Sequence, residues 1–115
     1  MNPSDPSVPL PVAIIGMGCL FPGAEGLSQY WSLIRNGLDA ISDVPASHWS
    51  VADYFDTDPK APDRTYARRG GFLAPVDFPA LEFGIAPQAI EATDSTQLLG
   101  LLVARQALEL SLIHI

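Results

Sequence analysis

Cysteine is almost missing from this chain: Cys19 stands alone, so no intramolecular disulfide can form, and nothing points to an oxidising compartment. Long apolar runs are missing as well. None reaches the ~18 residues of a membrane span, and the cytoplasm is the expected location. Basic residues are scarce, with six Lys and Arg against thirteen Asp and Glu and a formal net charge of −7 at pH 7. Nucleic acid and anionic membranes both require a basic footprint, so this balance argues against them as partners. The first eleven residues hold four prolines and no basic residue. A secretory signal needs a positive start followed by an apolar run, so this is not one. Residues 1–10 read as an extended leader or linker.

What is present suffices for one small domain and not two: 115 residues, 48% of them hydrophobic, with no internal repeat. The organising stretch is Pro11 to Gly23. Val12-Ala13-Ile14-Ile15 is apolar without alternation, the pattern of a central α/β strand covered on both faces. Gly16 and Gly18 end it, and Pro22-Gly23 turns the chain. Gly26 to Asn36 is predicted helical, because Leu27, Tyr30, Trp31 and Ile34 fall on one stripe and Gly37 provides a stop. Ile41 is expected to pair briefly as a strand within the connector Asp39–Val44. Pro45 to Asp63 reads as loop, since Pro45, Pro59 and Pro62 forbid a long helix. Trp49, Tyr54, Phe55 and Tyr66 in or after that loop predict that it is packed down. Gly70-Gly71 marks a possible close approach of backbone to backbone. Pro87 suits the first position of a short helix to about Ala92. Asp94, with Gln97 three residues on, opens a box-like start to a last helix from Ser95 to about Glu109. That helix is apolar nearly all round, the pattern of an element buried on most sides.

Individual candidates for chemistry are weak. Gly16-x-Gly18 after a strand suggests a dinucleotide fingerprint, but Phe21 occupies the third glycine position and Pro22 blocks a helix start. Asp53, Asp56, Asp58 and Asp63 suggest a calcium loop, but Lys60 and Ala61 stand where an oxygen ligand and a glycine are needed. A solvated acidic loop is the plainer reading. Cys19 has no adjacent His, Lys or Arg to lower its pKa, so it reads as a packed, inert thiol. Neither His48 nor His114 can be paired with it as a base. Arg64, Arg68 and Arg69 form the one basic cluster and read as solvated or paired with nearby aspartates. From these residues alone, the chain is part of a soluble α/β domain.

The order of short motifs says more. Val12-Ala13-Ile14-Ile15-Gly16-Met17-Gly18-Cys19-Leu20-Phe21-Pro22-Gly23 resembles the opening of the β-ketoacyl synthase (ketosynthase) domain of type I polyketide synthases and multifunctional fatty-acid synthases. The resemblance continues through Tyr30-Trp31-x-Leu33-Ile34-x-x-Gly37-x-Asp39-Ala40-Ile41, Val44-Pro45, His48-Trp49 and Tyr54-Phe55-Asp56-x-Asp58-Pro59. It then takes in Thr65-Tyr66-x-Arg68-x-Gly70-Gly71-Phe72-Leu73, Phe83-Gly84-Ile85-x-Pro87, and Asp94-x-x-Gln97 through Ala107-Leu108-Glu109. Residues 11–109 therefore read as the N-terminal portion of a ketosynthase domain. The family usually has Arg at the position of Leu20, and Met-Asp-Pro-Gln-Gln-Arg-Leu where this chain has Thr93 to Leu99. Those departures suggest a divergent subfamily of iterative or polyunsaturated-fatty-acid type.

The resemblance implies an α/β, thiolase-like fold of stacked αβαβα halves, incomplete here, and a homodimer in the full enzyme. It implies an acyltransferase of the 3-oxoacyl-carrier-protein synthase type. A cysteine would take an acyl group from a phosphopantetheine arm, and two histidines would help decarboxylate a malonyl thioester and stabilise the enolate. The partner would be an acyl carrier protein domain, with acyl and malonyl thioesters as substrates. No catalytic residue is carried over: the nucleophilic Cys and both His are expected beyond residue 115, and Cys19, His48 and His114 match none of them. No cofactor-binding or metal residue is assigned. After Glu109 the family continues Asp-Ala-Gly, whereas this chain reads Leu110-Ser111-Leu112-Ile113-His114-Ile115. Residues 110–115 are therefore expected to be an atypical tail of a truncated or mis-joined frame, on a fragment inactive by itself. The alternative is a small non-catalytic module that binds a carrier protein or another component of a synthase.

Overall fold

Residue type decides the short-range structure. The computed structural model describes residues 5–113, with side chains as far as Ser111. Helix α1 spans Leu27–Asn36, strand β1 Ser42–Asp43, helix α2 Val51–Tyr54, strand β2 Arg69–Gly70 and helix α3 Ser95–Ile113. Two 3₁₀ turns lie between, at Ala80–Phe83 and Pro87–Ala89. Gly37 ends α1 at φ 61°, where a Cβ would be strained. The Leu38 N–H then donates to the Leu33 carbonyl at 3.0 Å and closes a Schellman-type end. β1 and β2 pair antiparallel, Ser42 opposite Gly70 and Asp43 opposite Arg69. Ile41 lies just outside that pairing, one residue from where the sequence put it.

The longest departure concerns the stretch predicted to be the central strand. Val12–Ile15 is extended but unpaired, and Val12, Ile14 and Ile15 are 93%, 82% and 71% exposed. β-branched residues favour an extended backbone, but a strand exists only when a neighbour takes its N–H and C=O groups. Here none does. The stripe on α1 is likewise formed but uncovered: Trp31 and Ile34 are exposed, and no residue of α1 is buried. The aromatic loop is only half packed, since Trp49 and Phe55 are partly buried while Tyr54 and Tyr66 lie in solvent. The segment after Pro87 makes a 3₁₀ turn and not a helix to Ala92, with Pro87 in the first turn as expected.

Helix α3 runs past Glu109 to Ile113, because nothing between carries a stop signal. It is not buried on most sides: Leu102 is in the core, whereas Leu101 and Leu108 are exposed. The core itself is small, with Cys19, Ala24, Val44, Ala80 and Leu102 as its buried apolar members. Among the described residues, β1 with β2 is the one substantial pairing of elements. The radius of gyration is 20.5 Å, against about 13 Å for a compact chain of this length. The accessible surface is 9275 Å², about half as much again as the ~6,100 Å² of a compact monomer of this mass.

Candidate functional site

The best-formed local constellation joins the glycine stretch to α3. Gly16 and Gly18 lie directly on the helix backbone. A Cβ at Gly16 would overlap the Ala107 carbonyl, and one at Gly18 would fall 2.5 Å from the Val103 oxygen. Neither glycine has a positive φ; that conformation occurs at Gly23, Gly37 and Gly84. The two glycines are therefore required by close approach and not by backbone angle. Gln106 fastens the same contact. Its Oε1 accepts the Cys19 N–H at 3.1 Å, and its Nε2 donates to the Glu25 carbonyl at 3.0 Å. A single amide thus satisfies one donor and one acceptor of a loop that otherwise has few partners.

Between those two anchor points the chain makes a tight turn. Phe21 and Ala24 exchange hydrogen bonds of 2.8 and 2.9 Å. Pro22 and Gly23 take the central positions, Gly23 with φ 75°, as a type II turn demands. The Phe21 ring packs against Tyr30 of α1 at 4.5 Å between centroids. Pro22 abuts Gly71, where a Cβ would lie 3.0 Å from its ring, and Gly70 faces the Phe72 ring; the glycine pair thus meets side chains, and not another backbone as the sequence suggested. A cavity of about 270 Å³ opens beside this turn, lined by Leu20, Phe21, Glu25, Gln29, Leu73 and Val76. A second, apolar one of about 210 Å³ lies between Phe78 and Leu98, Leu99 and Leu102.

The titratable residues singled out in the sequence do not converge. Cys19 is 8% exposed, in the core beneath its loop. His48 stands elsewhere, its ring edge-on to Phe72 at 5.0 Å. His114 lies outside the described residues. In the acidic loop the Asp56 carboxylate accepts the Asp58 N–H, and the Asp58 carboxylate accepts the Lys60 N–H, each at 2.9 Å. These carboxylates turn back on their own backbone, the habit of Asp in loops. Asp53, Asp56, Asp58 and Asp63 do not come together as a metal-binding group among the described residues. The three arginines of the basic cluster disperse too. Arg68 lies over the Phe55 ring at 5.0 Å, Arg69 donates to the Ile41 carbonyl, and Arg64 reaches the Ala52 carbonyl. Of these three, Arg69 meets a carboxylate, that of Asp43 at 3.9 Å.

Two residues that matter here were not singled out from the sequence. Gln106 is one; its signal was a polar amide within an apolar helix. Arg105 is the other. It donates to the Glu82 carboxylate at 2.8 Å, lies 3.8 Å from Glu109 one turn on, and covers the Phe83 ring at 4.9 Å. It ties the Ala80–Phe83 turn to α3. The start of α3 follows the sequence: the Asp94 carboxylate accepts the Thr96 N–H at 2.8 Å. That bond, joined by the Thr96 hydroxyl, holds the Asp94 pKa below the usual carboxylate range.

This arrangement has solved counterparts. It superposes with a TM-score of 0.80 and 31% identity on the oxazolomycin ketosynthase domain OzmH KS7 of Streptomyces albus JA3453, over 84% of this chain and 17% of that one. The architecture is thus the N-terminal part of a thiolase-like α/β fold, incomplete in these residues. The sequence profile described as Beta-ketoacyl synthase, N-terminal domain matches residues 10–114. The chain belongs to the β-ketoacyl synthase family, within its N-terminal domain. It is 42% identical over 101 residues to a phenolphthiocerol/phthiocerol polyketide synthase protein of Mycobacterium tuberculosis, covering 86% of this chain and 6% of that protein. It is 37% identical over 98 residues to a polyunsaturated fatty acid synthase protein of Thraustochytrium sp., covering 85% of this chain and 4% of that protein. The chain therefore spans a small fraction of the length of these relatives.

Proposed function

We propose that this chain is the N-terminal segment of a β-ketoacyl-carrier-protein synthase that performs decarboxylative Claisen condensation in polyketide or fatty-acid biosynthesis. Residues 1–10 serve as leader, 11–109 as the N-terminal portion of the condensing domain, and 110–115 as an atypical tail. The observation that carries the reading is the superposition on a ketosynthase domain of which this chain covers 17%. The full enzyme joins an acyl group to the enolate of a decarboxylated malonyl unit, both as phosphopantetheine thioesters on an acyl carrier protein domain. It acts as a cytoplasmic homodimer. The contribution of this segment is scaffolding: α3 and the loop clamped by Gln106 form a platform for the remaining sheets. No catalytic residue lies in the chain, and Cys19 is structural, a role its burial supports.

The test compares the 115-residue chain with a version extended by the coding sequence downstream of Ile115. Both receive acyl and malonyl thioesters on carrier protein, and the 3-oxoacyl product is measured. The extended protein is expected to condense and the short chain to give no product. Condensation by the short chain, or a covalent acyl group on Cys19, would refute the assignment.

A further inference from the structure

We propose that Asn36 is a site of spontaneous deamidation, and that the hydrogen bonds closing helix α1 hold its rate down, so that conversion reports the opening of that helix end. The proposal is independent of the enzymatic reading. It rests on bonds within residues 32–38 and not on the exposure of any face. Asparagine occurs at positions 2 and 36 of the chain. The reaction needs a backbone N–H on the following residue. Asn2 precedes Pro3, which has no N–H, whereas Asn36 precedes Gly37, whose nitrogen is crowded by no side chain of its own.

In the step itself the Gly37 nitrogen gives up its proton and bonds to Asn36 Cγ. The bond from Cγ to Nδ2 breaks, and Nδ2 leaves as ammonia with that proton. Water then opens the cyclic imide at either carbonyl, to aspartate or to isoaspartate. The folded end of α1 opposes each part of this. The Gly37 N–H is engaged with the Ile34 carbonyl at 3.2 Å. Asn36 Nδ2 donates to Ser32 Oγ at 3.2 Å, one turn back along the helix. The Leu38 N–H, donating to the Leu33 carbonyl at 3.0 Å, fixes the chain on the far side of Gly37. Ring closure therefore passes through a state in which the last turn has opened, a local event at a helix end. Conversion makes that opening hard to reverse. A new negative charge at the C-terminal end of a helix is unfavourable. Isoaspartate also adds a backbone carbon just before Gly37, whose left-handed φ of 61° and Schellman-type bonds depend on regular spacing.

The test holds the full 115-residue chain in mildly alkaline buffer, with and without denaturing urea, and follows residue 36 by peptide mapping and mass spectrometry. Aspartate and isoaspartate are expected at position 36 under both conditions, forming about tenfold or more slowly in buffer, where the helix end is closed most of the time. Leu38→Pro removes the N–H that bonds to Leu33. It should bring the rate in buffer toward the rate in urea and leave the rate in urea unchanged. Asn36→Gln should abolish the product, since the longer side chain closes a less favourable ring. Absence of product at 36 in urea would overturn the site. Equal rates with and without urea, or a Leu38→Pro rate in buffer no faster than that of the unaltered chain, would overturn its control by the helix end.

Discussion

At the scale of single residues, Gly18 and Gln106 illustrate two kinds of constraint. Gly18 has no Cβ because the α3 backbone occupies that space, with the Val103 oxygen at 2.5 Å and Gln106 Cβ at 2.9 Å from where it would sit. Gly18→Ala should therefore push the loop off the helix at a cost of about 1–3 kcal/mol, the range for overpacking a tight contact. The Cys19 N–H reports it, because its partner Gln106 sits on the same turn of α3. Its hydrogen exchange should accelerate in the variant, and an unchanged rate would contradict the close-approach account. That glycines were needed at 16 and 18 was readable from their place after an apolar run. Their reason was not, because a positive φ and a helix pressed against the backbone leave the same letter in the sequence.

At the scale of elements, α3 is the clearest case of a signal that sequence carries well. Asp94 before an apolar run marked its start, and Asp94 does accept the Thr96 N–H. Because that bond favours the ionised form, the folded pKa of Asp94 lies below its unfolded value. The stabilisation is thus present above the unfolded pKa and is lost as pH falls through the folded one. Helicity followed by circular dichroism should decline below about pH 4, and Asp94→Asn, whose amide oxygen caps without titrating, should remove the part of the decline that belongs to this cap. An identical acid profile in that variant would assign the loss to other carboxylates. The reciprocal half of the predicted box, from Gln97, is not among the observed bonds of the described residues. Strand signals fared differently from cap signals. Val12–Ile15 has the composition of a buried strand and an extended backbone, yet no partner among the described residues, whereas the pairing that does form uses Ser42–Asp43 and Arg69–Gly70. A cap is satisfied within three residues; a strand is satisfied only by chain that is distant in sequence.

At the scale of the whole molecule, exposed apolar surface dominates. Val12, Ile14, Ile15 and Leu108 lie largely in solvent. Burying such a side chain contributes ~1.5–3 kcal/mol, against a net margin of only ~5–15 kcal/mol for an ordinary domain. The isolated chain should consequently show a broad, low-enthalpy thermal transition in calorimetry. A sharp cooperative one would mean that these 115 residues form a self-sufficient domain and would favour the small interaction module over the enzyme segment. The local elements were legible because their causes are local: the stripe and Gly37 for α1, Asp94 for α3, Pro22-Gly23 for the turn at Phe21–Ala24. The family was legible as well, since the order of its short motifs is itself a property of the sequence. Which faces are covered was not, because burial depends on a second surface, and an apolar stripe reads the same whether that surface is present or absent. The clamp by Gln106 belongs to the same class. It joins Cys19 and Glu25 to a side chain some eighty residues away, and only the folded path of the chain brings those three groups within hydrogen-bonding distance.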